Sequence, residues 1–253
     1  MHRFFIPPDQ CKPPDLFLTG REAHHALHVL RLRAGDSIAV LDGAGHEFLC
    51  KIQRFDRDKA SLNIVEKRDL PSSVCRVTLL QALPKGKLMD SIVQKATELA
   101  IFRVVPLITE RVALRPNKKD AARKTEKWRT TAVESIKQCG SPWLPDIEEP
   151  VSPEEFLARK ASFDLPLLAS LQNDAAHARK YFQDFQAKHG RLPNSICVWV
   201  GPEGDFTPKE IEAIKNSGAL PITLGPHVLR TETAAIYCLS ILNYELQTSR
   251  VNS

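Results

Sequence analysis

The chain has 253 residues, a length that fits one large domain or two small ones. Its hydrophobic content of 43% and charged content of 26% are ordinary for a globular protein, and no apolar run reaches the roughly 18 residues of a membrane span. The six cysteines are scattered and form no C-x-x-C pair, and the start of the chain is too proline-bound for a signal peptide; both features predict a reduced, cytoplasmic chain. The net charge of +5 predicts a mild preference for polyanionic partners.

The first part of the chain, residues 1–72, is predicted to form a small antiparallel β-barrel. Thr19-Gly20-Arg21-Glu22 has the spacing of a capping box and predicts a helix through about Leu30. Short strands are then predicted at 37–41, 47–54 and 60–66. Short strands joined by tight turns are typical of such barrels, and the polar, proline-containing stretch 69–73 is expected to be a linker.

From residue 73 onward, strand and helix patterns alternate. Strands are predicted at 74–82, 102–108, 165–170, 196–200 and 221–224. Helices are predicted at 85–100, 121–139, 175–189 and about 232–247, with two more that begin at Ser152 and Thr207. This alternation predicts an α/β domain over residues 73–253, with a mostly parallel sheet covered on both faces.

Two strand-to-helix turns form the candidate ligand site. Gly201-Pro202-Glu203-Gly204-Asp205 follows the strand 196–200, and Leu224-Gly225-Pro226-His227 follows the strand 221–224. Ligands in parallel sheets bind outside the carboxyl ends of the strands. The glycines permit close approach of the backbone to a ligand, although plain turns explain them equally well.

The second turn leads into Leu229-Arg230-Thr231-Glu232-Thr233, with small polar residues at a helix start. The unpaired N–H groups and the positive dipole end favour an anion there. Capping by Thr231, with Glu232 complementing the dipole, explains part of the pattern. Arg230 is not explained in this way, because a cation at a helix N-terminus is unfavourable unless an anion meets it.

The standard motifs for nucleotide and hydrolase chemistry are missing. The sequence contains no G-x-G-x-x-G, no G-x-x-x-x-G-K-[ST] and no G-x-S-x-G, which argues against an ordinary dehydrogenase, kinase or hydrolase. The clustered His24, His25 and His28 have no carboxylate or cysteine at ligand spacing, so no metal is expected.

Residues 111–129 are strongly basic, with eight Lys or Arg against two Asp or Glu. They predict a polyphosphate-binding face, and a solvated helix surface is the alternative. The candidate RNA-binding residues are Arg3, Arg21, Arg31, Arg33, Arg111, Lys118, Lys119, Arg123 and Lys124.

Two stretches, VGPEGDF at 200–206 and LGPHVLRTETAA at 224–235, resemble the signature of a SPOUT-class family, the ribosomal RNA small subunit methyltransferase E family. The resemblance spans the chain through shorter motifs at 3–5, 24–36, 94–99 and 138–140. Asp205 stands where the family usually has a second glycine, a change expected to alter only the loop. His227 and Ser141 stand where arginines are usual, changes that would weaken cationic contacts with RNA or donor.

The resemblance implies a fold, an activity and partners. It implies a PUA-like RNA-binding barrel followed by a SPOUT domain with a trefoil knot, working as a homodimer without metal or membrane. The implied activity is transfer of a methyl group from S-adenosyl-L-methionine to N3 of a uridine in the 16S rRNA of the small ribosomal subunit. Methylation of another RNA atom, such as a ribose 2′-oxygen, is an alternative. A second alternative is a non-catalytic RNA-binding assembly factor.

The resemblance also implies roles for individual residues. The donor would be held by Gly201, Gly204, Leu224, Gly225, Leu229, Thr231 and Thr233. Arg230 is the candidate that binds the RNA or stabilises a developing uracil anion. Glu98 and Glu232 are the candidate proton acceptors.

Overall fold

The computed structural model describes residues 1–57, 59–112, 116–172 and 174–248. The chain forms two compact units. The first comprises Met1–Ser72 with Val133–Leu144, and the second comprises Ser73–Ala132 with the chain from Pro145 onward. The division into domains at residues 72 and 73 stays a prediction, and it leaves Val133–Leu144 outside the first part.

The first unit is built on a five-stranded sheet in the order β1-β3-β4-β5-β2. Its elements are β1 (His2–Phe5), β2 (Leu16–Thr19), α1 (Gly20–His24), the π-helical turn His25–Val29, β3 (Ser37–Leu41), β4 (His46–Asp56) and β5 (Lys59–Asp69). The pairing is antiparallel except between β1 and β3, which are parallel. The predicted strands correspond to β3, β4 and β5, whereas β1 and β2 have no predicted counterpart. Inward side chains such as Phe4, Leu16 and Ile38 are fully buried and form the core.

The predicted capping box at Thr19 is wrong. The Thr19 side chain makes no hydrogen bond to the start of α1. The Glu22 carboxylate instead accepts the Phe5 N–H at 3.3 Å and the Lys137 ammonium at 2.8 Å. The Glu22 carboxylate, which a capping box would need, is therefore bound by residues that are distant in sequence.

The second unit alternates strands and helices as predicted. Its strands are β6 (Arg76–Ala82), β7 (Arg103–Leu107), β8 (Asp146–Ile147), β9 (Leu165–Ala169), β10 (Ser195–Val200) and β11 (Leu220–Ile222). Its helices are α2 (Leu88–Glu98), α3 (Lys118–Cys139, which continues into the first unit), α4 (Pro153–Ala158), α5 (Ala178–His189), α6 (Pro208–Asn216) and α7 (Thr231–Thr248). The capping boxes predicted at Ser152 and Thr207 both form. Among the described helices, none combines the length and the apolarity that crossing a membrane requires.

All strand pairs of the second sheet are parallel, in the order β11-β9-β10-β6-β7-β8. Central strands read as nearly continuous apolar runs because both of their faces are covered. Val198 and Trp199 of β10, for example, are almost completely buried. The parallel α/β sheet is confirmed, with β8 as an unpredicted sixth strand. A trefoil knot depends on threading as well as on strand order, and it stays a prediction.

This strand order decides where the loops meet. Neighbouring parallel strands end at the same edge of a sheet, and β9 lies between β10 and β11. The segments that follow these three strands therefore converge at one edge.

Candidate functional site

A cavity of about 440 Å³ lies at the edge where β9, β10 and β11 end. Its wall is formed by the last residue of β9 and of β10 and by the segments that follow β9, β10 and β11: residues 169–172 and 175, 200–203 and 205, and 223–229, 231 and 234. Volumes of about 300–1,000 Å³ are typical of small-molecule sites. The cavity is therefore large enough for a ligand of nucleoside size.

The cavity brings together five of the residues that the resemblance assigns to donor binding: Gly201, Leu224, Gly225, Leu229 and Thr231. Gly225 has a φ of +105°, a left-handed conformation that favours glycine. A Cβ atom added there would meet no other atom within 4 Å. The backbone of this loop thus presents an open face.

Gly204 and Thr233 are not part of the cavity wall. The carbonyl of Gly204 accepts a hydrogen bond of 2.6 Å from the Arg111 guanidinium. Thr233 is exposed on α7 and lines a separate depression together with Ser91 and Lys95 of α2. Their predicted part in donor binding stays a prediction.

A buried chain of hydrogen bonds joins the loops after β10 and β11 to β6. The Thr231 hydroxyl donates to the Gly201 carbonyl at 2.6 Å and accepts from Gln81 Nε2 at 3.0 Å. Gln81 is fully buried, and Nε2 also donates to the Ala82 carbonyl at 2.9 Å. Neither hydrogen bond of the Thr231 hydroxyl caps α7; together they join the loops after β10 and β11 to the central sheet.

The charged groups on the wall are acidic. Glu203 and Asp205 line the cavity, and its described lining contains neither lysine nor arginine. One oxygen of Glu203 accepts the Lys85 N–H at 2.9 Å, which ties the loop after β6 to the loop after β10. Such a wall suits a ligand that carries positive charge.

Arg230 lies between two wall residues, Leu229 and Thr231. Its side chain is exposed and makes no hydrogen bond or ion pair with any residue that the structure describes. Glu98 is exposed at the end of α2, where it accepts a hydrogen bond of 3.3 Å from Gln94. Glu232 lines the depression that contains Thr233. The structure thus brings Arg230 next to the cavity but places neither carboxylate on its wall.

The predicted RNA-binding residues fall into two groups. Four have partners: Arg3 with the Gln138 carbonyl at 3.4 Å, Arg21 with Glu134 at 3.4 Å, Arg123 with Asp120 at 3.1 Å, and Arg111 with the loop after β10. The others form no side-chain hydrogen bond or ion pair with described residues: Arg31, Arg33, Lys118, Lys119 and Lys124. Residues 113–115 of the basic segment lie outside the described residues.

The cysteines do not contribute to the described cavity wall. All six are free, and none belongs to the described cavity lining. Burial raises the pKa of the Cys197 and Cys238 thiols to about 12, so both are protonated at neutral pH and are poor nucleophiles. Within the described ranges, no group of three or more His, Cys, Asp or Glu side chains is arranged to hold a metal ion.

Known proteins are similar in sequence to this chain along its length. A model of the RNA methyltransferase domain matches residues 71–243, and a model of the RNA methyltransferase PUA domain matches residues 18–65. The ribosomal RNA small subunit methyltransferase E of Bacillus subtilis (strain 168) is 31% identical over 259 residues, covering 99% of each chain. This chain belongs to the ribosomal RNA small subunit methyltransferase E family. The Aquifex aeolicus (strain VF5) member is also 31% identical, over 96% of this chain and 99% of its own.

Solved structures of similar proteins have the same fold. A Legionella pneumophila methyltransferase in complex with the bound cofactor SAM has a TM-score of 0.84, with 31% identity over 98% of this chain and 97% of its own. A family member from Neisseria gonorrhoeae bound to S-adenosyl methionine has a TM-score of 0.82, with 26% identity over 96% and 97% of the two chains. The predicted family, the PUA domain and the α/β methyltransferase fold are therefore confirmed.

The ligand site predicted from the sequence does not include the segment after β9. Ser170, Leu171 and Gln172 form part of the cavity wall, but they contain no glycine and belong to no quoted motif. Only the position of β9 between β10 and β11 identifies them, because loops that follow neighbouring parallel strands share one edge.

Proposed function

We propose that this chain transfers a methyl group from S-adenosyl-L-methionine to N3 of a uridine in the 16S rRNA of the small ribosomal subunit. The observation that carries the proposal is the cavity at the carboxyl edge of β9, β10 and β11, in a member of the ribosomal RNA small subunit methyltransferase E family. We assign the reaction to the cytoplasm, where free thiols such as those of this chain persist.

The residues of the cavity suit this donor. Backbone groups at Gly201, Leu224, Gly225 and Leu229 would hold the adenosine and methionine parts. The acidic wall complements the positive charges of a sulfonium and an ammonium group. When bound, the donor supplies a methyl group that is already activated on sulfur. The task left to the protein is positioning and charge placement.

Arg230 is the proposed catalytic cation. Methylation at N3 requires the uracil imide to lose its proton, and negative charge then develops on the ring. The exposed Arg230 side chain, flanked by two wall residues and without a described partner, is available to stabilise that charge. The free N–H groups at the start of α7 favour the same anion. Glu98 and Glu232 remain the candidate proton acceptors.

The cations without described partners would bind the RNA backbone. Lys118, Lys119 and Lys124 on α3, with Arg31 and Arg33 in the first unit, provide positive charge that no described ion pair neutralises. Contacts of this kind supply affinity without reading sequence. The target base must be unpaired or flipped out of a helix, because N3 lies on the Watson–Crick edge.

A methyl-transfer assay tests the proposal. Small ribosomal subunits that lack the modification are incubated with the protein and a methyl-tritiated donor, and the rRNA is digested for nucleoside mapping by mass spectrometry. The proposal expects label in N3-methyluridine only. Label in a 2′-O-methylated nucleoside would show that the ribose oxygen is methylated instead. Donor binding without any transfer would favour a non-catalytic assembly factor.

The proposed working unit is a homodimer. Tyr237 and Tyr244 are seven residues apart, so they lie on one face of α7, where they are 45% and 57% exposed. Val228, on the loop after β11, is 79% exposed. Tyr237 borders depressions on both sides of α7. Exposed aromatic and apolar side chains beside grooves are typical of surfaces that a partner covers.

Sedimentation equilibrium tests this assembly. The wild-type chain should sediment as a dimer, and Tyr237→Arg should weaken the dimer by placing a charge in the covered face. Val65→Arg, at a 61% exposed position of β5, is the matched control and should leave the dimer intact. A wild-type monomer at micromolar concentration would exclude the dimer.

A further inference from the structure

Asp205 occupies an unusual backbone position in the loop after β10. Its φ of +61° lies in the left-handed region, where aspartate is tolerated better than most side chains. Its N–H donates to the Pro202 carbonyl at 2.9 Å, and its Oδ1 accepts the Phe206 N–H at 2.8 Å. The turn and the side-chain hydrogen bond together fix the direction of the carboxylate.

The Asp205 carboxylate lies beside the cavity. Asp205 is one of the wall residues, and a Cβ added to Gly201 would lie only 2.9 Å from Asp205 Oδ1. The carboxylate therefore lies against the end of β10, on the backbone proposed to hold the donor. Its second oxygen, Oδ2, has no hydrogen bond or ion pair with a described residue. Asp205 as a residue is half-buried, and this oxygen is available to a ligand.

No described cation forms an ion pair with the Asp205 carboxylate, although the Arg111 guanidinium donates to the carbonyls of its two neighbours, Gly204 at 2.6 Å and Phe206 at 3.4 Å. The described wall contains neither lysine nor arginine. The other acidic wall residue, Glu203, has one oxygen engaged by the Lys85 N–H. Asp205 is the wall carboxylate held closest to Gly201, whereas a glycine at this position would leave that part of the cavity without charge.

We propose that Asp205 makes the cavity select for the charge on the donor sulfur, so that it binds S-adenosylmethionine in preference to S-adenosylhomocysteine. This inference rests on the proposed function. The N3 proton passes to a proton acceptor, the N3 electron pair forms the bond to the methyl carbon, and the sulfur–methyl bond breaks with its electron pair staying on sulfur. The sulfur of the product is therefore a neutral thioether. The carboxylate attracts the sulfonium and loses that attraction after transfer. Asp205 is therefore a specificity-determining residue that favours the donor and promotes release of the product.

The test is equilibrium binding of each ligand by titration calorimetry at low ionic strength, where charge interactions are least screened. The measured quantity is the ratio of the dissociation constants of S-adenosylhomocysteine and S-adenosylmethionine. Asp205→Asn keeps the acceptor for the Phe206 N–H but removes the charge, and Asp205→Gly removes the side chain. We expect both variants to lower the ratio about three- to ten-fold, as for a partly exposed charge pair. Added salt should lower the ratio in the wild type but not in the variants.

Glu212→Gln is the matched control, because it removes the same charge from an exposed position of α6 outside the cavity wall. It should leave the ratio unchanged. A wild-type ratio in Asp205→Asn, with an unchanged melting temperature, overturns the inference. An equal loss of affinity for both ligands also overturns it, because the role is then structural. If the wild type binds neither ligand, the proposed function fails, and the charge selection fails with it.

Discussion

The cavity and the N-terminal part of α3, residues 118–132, belong to the same unit but carry opposite charge. The described cavity wall contains two carboxylates and neither lysine nor arginine. Lys118, Lys119 and Lys124 of α3 have no ion pair with a described residue. A methyl donor with a sulfonium and an RNA with phosphates require opposite fields. Under the proposed function, one unit serves both ligands because the two kinds of charge lie on separate elements.

Two arginines depart from this separation: Arg111 is bound to the loop after β10, and Arg230 lies between two wall residues with no described partner. Arg230→Ala should lower kcat at saturating donor by about 100-fold, the range for loss of one donor to a developing anion. Donor affinity and the melting temperature should stay unchanged, because the side chain is exposed and has no described partner. Single-turnover transfer measures the effect. Arg54→Ala, at an exposed arginine of β4, is the control. An unchanged rate would remove Arg230 from catalysis.

The proposed role of the α3 lysines in RNA binding can be tested by reversing their charge. Lys118→Glu, Lys119→Glu and Lys124→Glu together should weaken RNA binding at least ten-fold at low salt. They should also reduce the slope of log affinity against log salt by about 0.7–0.9 per lost phosphate contact. Donor affinity should not change. Reversal of Lys160, Lys188 and Lys209, three exposed lysines outside the basic segment, changes the net charge by the same amount and is the control. Undiminished RNA affinity would show that 118–124 is only a solvated surface.

On the donor side, Thr231→Val tests whether the buried hydroxyl holds the cavity walls. The change leaves the Gly201 carbonyl without its Thr231 donor and Gln81 Nε2 with one fewer acceptor. An unmade buried hydrogen bond costs about 1–3 kcal/mol, so donor affinity should fall about ten-fold and the free energy of unfolding should also fall. Calorimetry and thermal melting measure the two effects. Thr130→Val, at an exposed position of α3, should change neither. Wild-type donor affinity in Thr231→Val would contradict this role.

The smallest expected effects on donor affinity are those of replacing the two glycines of the loop after β10. A Cβ on Gly201 would lie 2.9 Å from Asp205 Oδ1 and 3.3 Å from Phe206 N, so Gly201→Ala must shift the loop. Crowding of this kind costs roughly 1 kcal/mol, or about a five-fold loss of donor affinity. A Cβ on Gly204 would meet Arg111 at 3.6 Å, an ordinary contact, so Gly204→Ala should have less effect. Equal losses would return Gly204 to the donor site that the resemblance implies.

Local signals in the sequence predicted much of the fold. The capping boxes at Ser152 and Thr207 form because all of their partners are within four residues, and buried parallel strands stand out as apolar runs. The box at Thr19 does not form, since Glu22 finds partners 17 and 115 residues away. The four-residue strands β1 and β2 and the two-residue β8 are too short for a periodic pattern.

The candidate site was predicted less completely than the fold. Gly201, Gly225 and Thr231 are recognisable because glycine turns and a helix start mark them. The segment Ser170–Gln172 carries no such mark, and its place on the wall depends on sheet order, which the sequence does not contain. The direction of the Asp205 carboxylate depends on a positive φ and on one backbone hydrogen bond. From the sequence alone, Asp205 therefore predicts only a change in the loop.

A crystal structure of the chain with S-adenosylmethionine tests the separation of donor and RNA surfaces most directly. We expect the donor inside the cavity at the carboxyl edge of β9, β10 and β11, against the backbone of Gly201, Leu224, Gly225 and Leu229. We also expect Asp205 to lie nearer to its sulfur than any lysine or arginine of the same chain. An ordered donor against the basic segment of α3, or an empty cavity at saturating donor, would contradict this expectation.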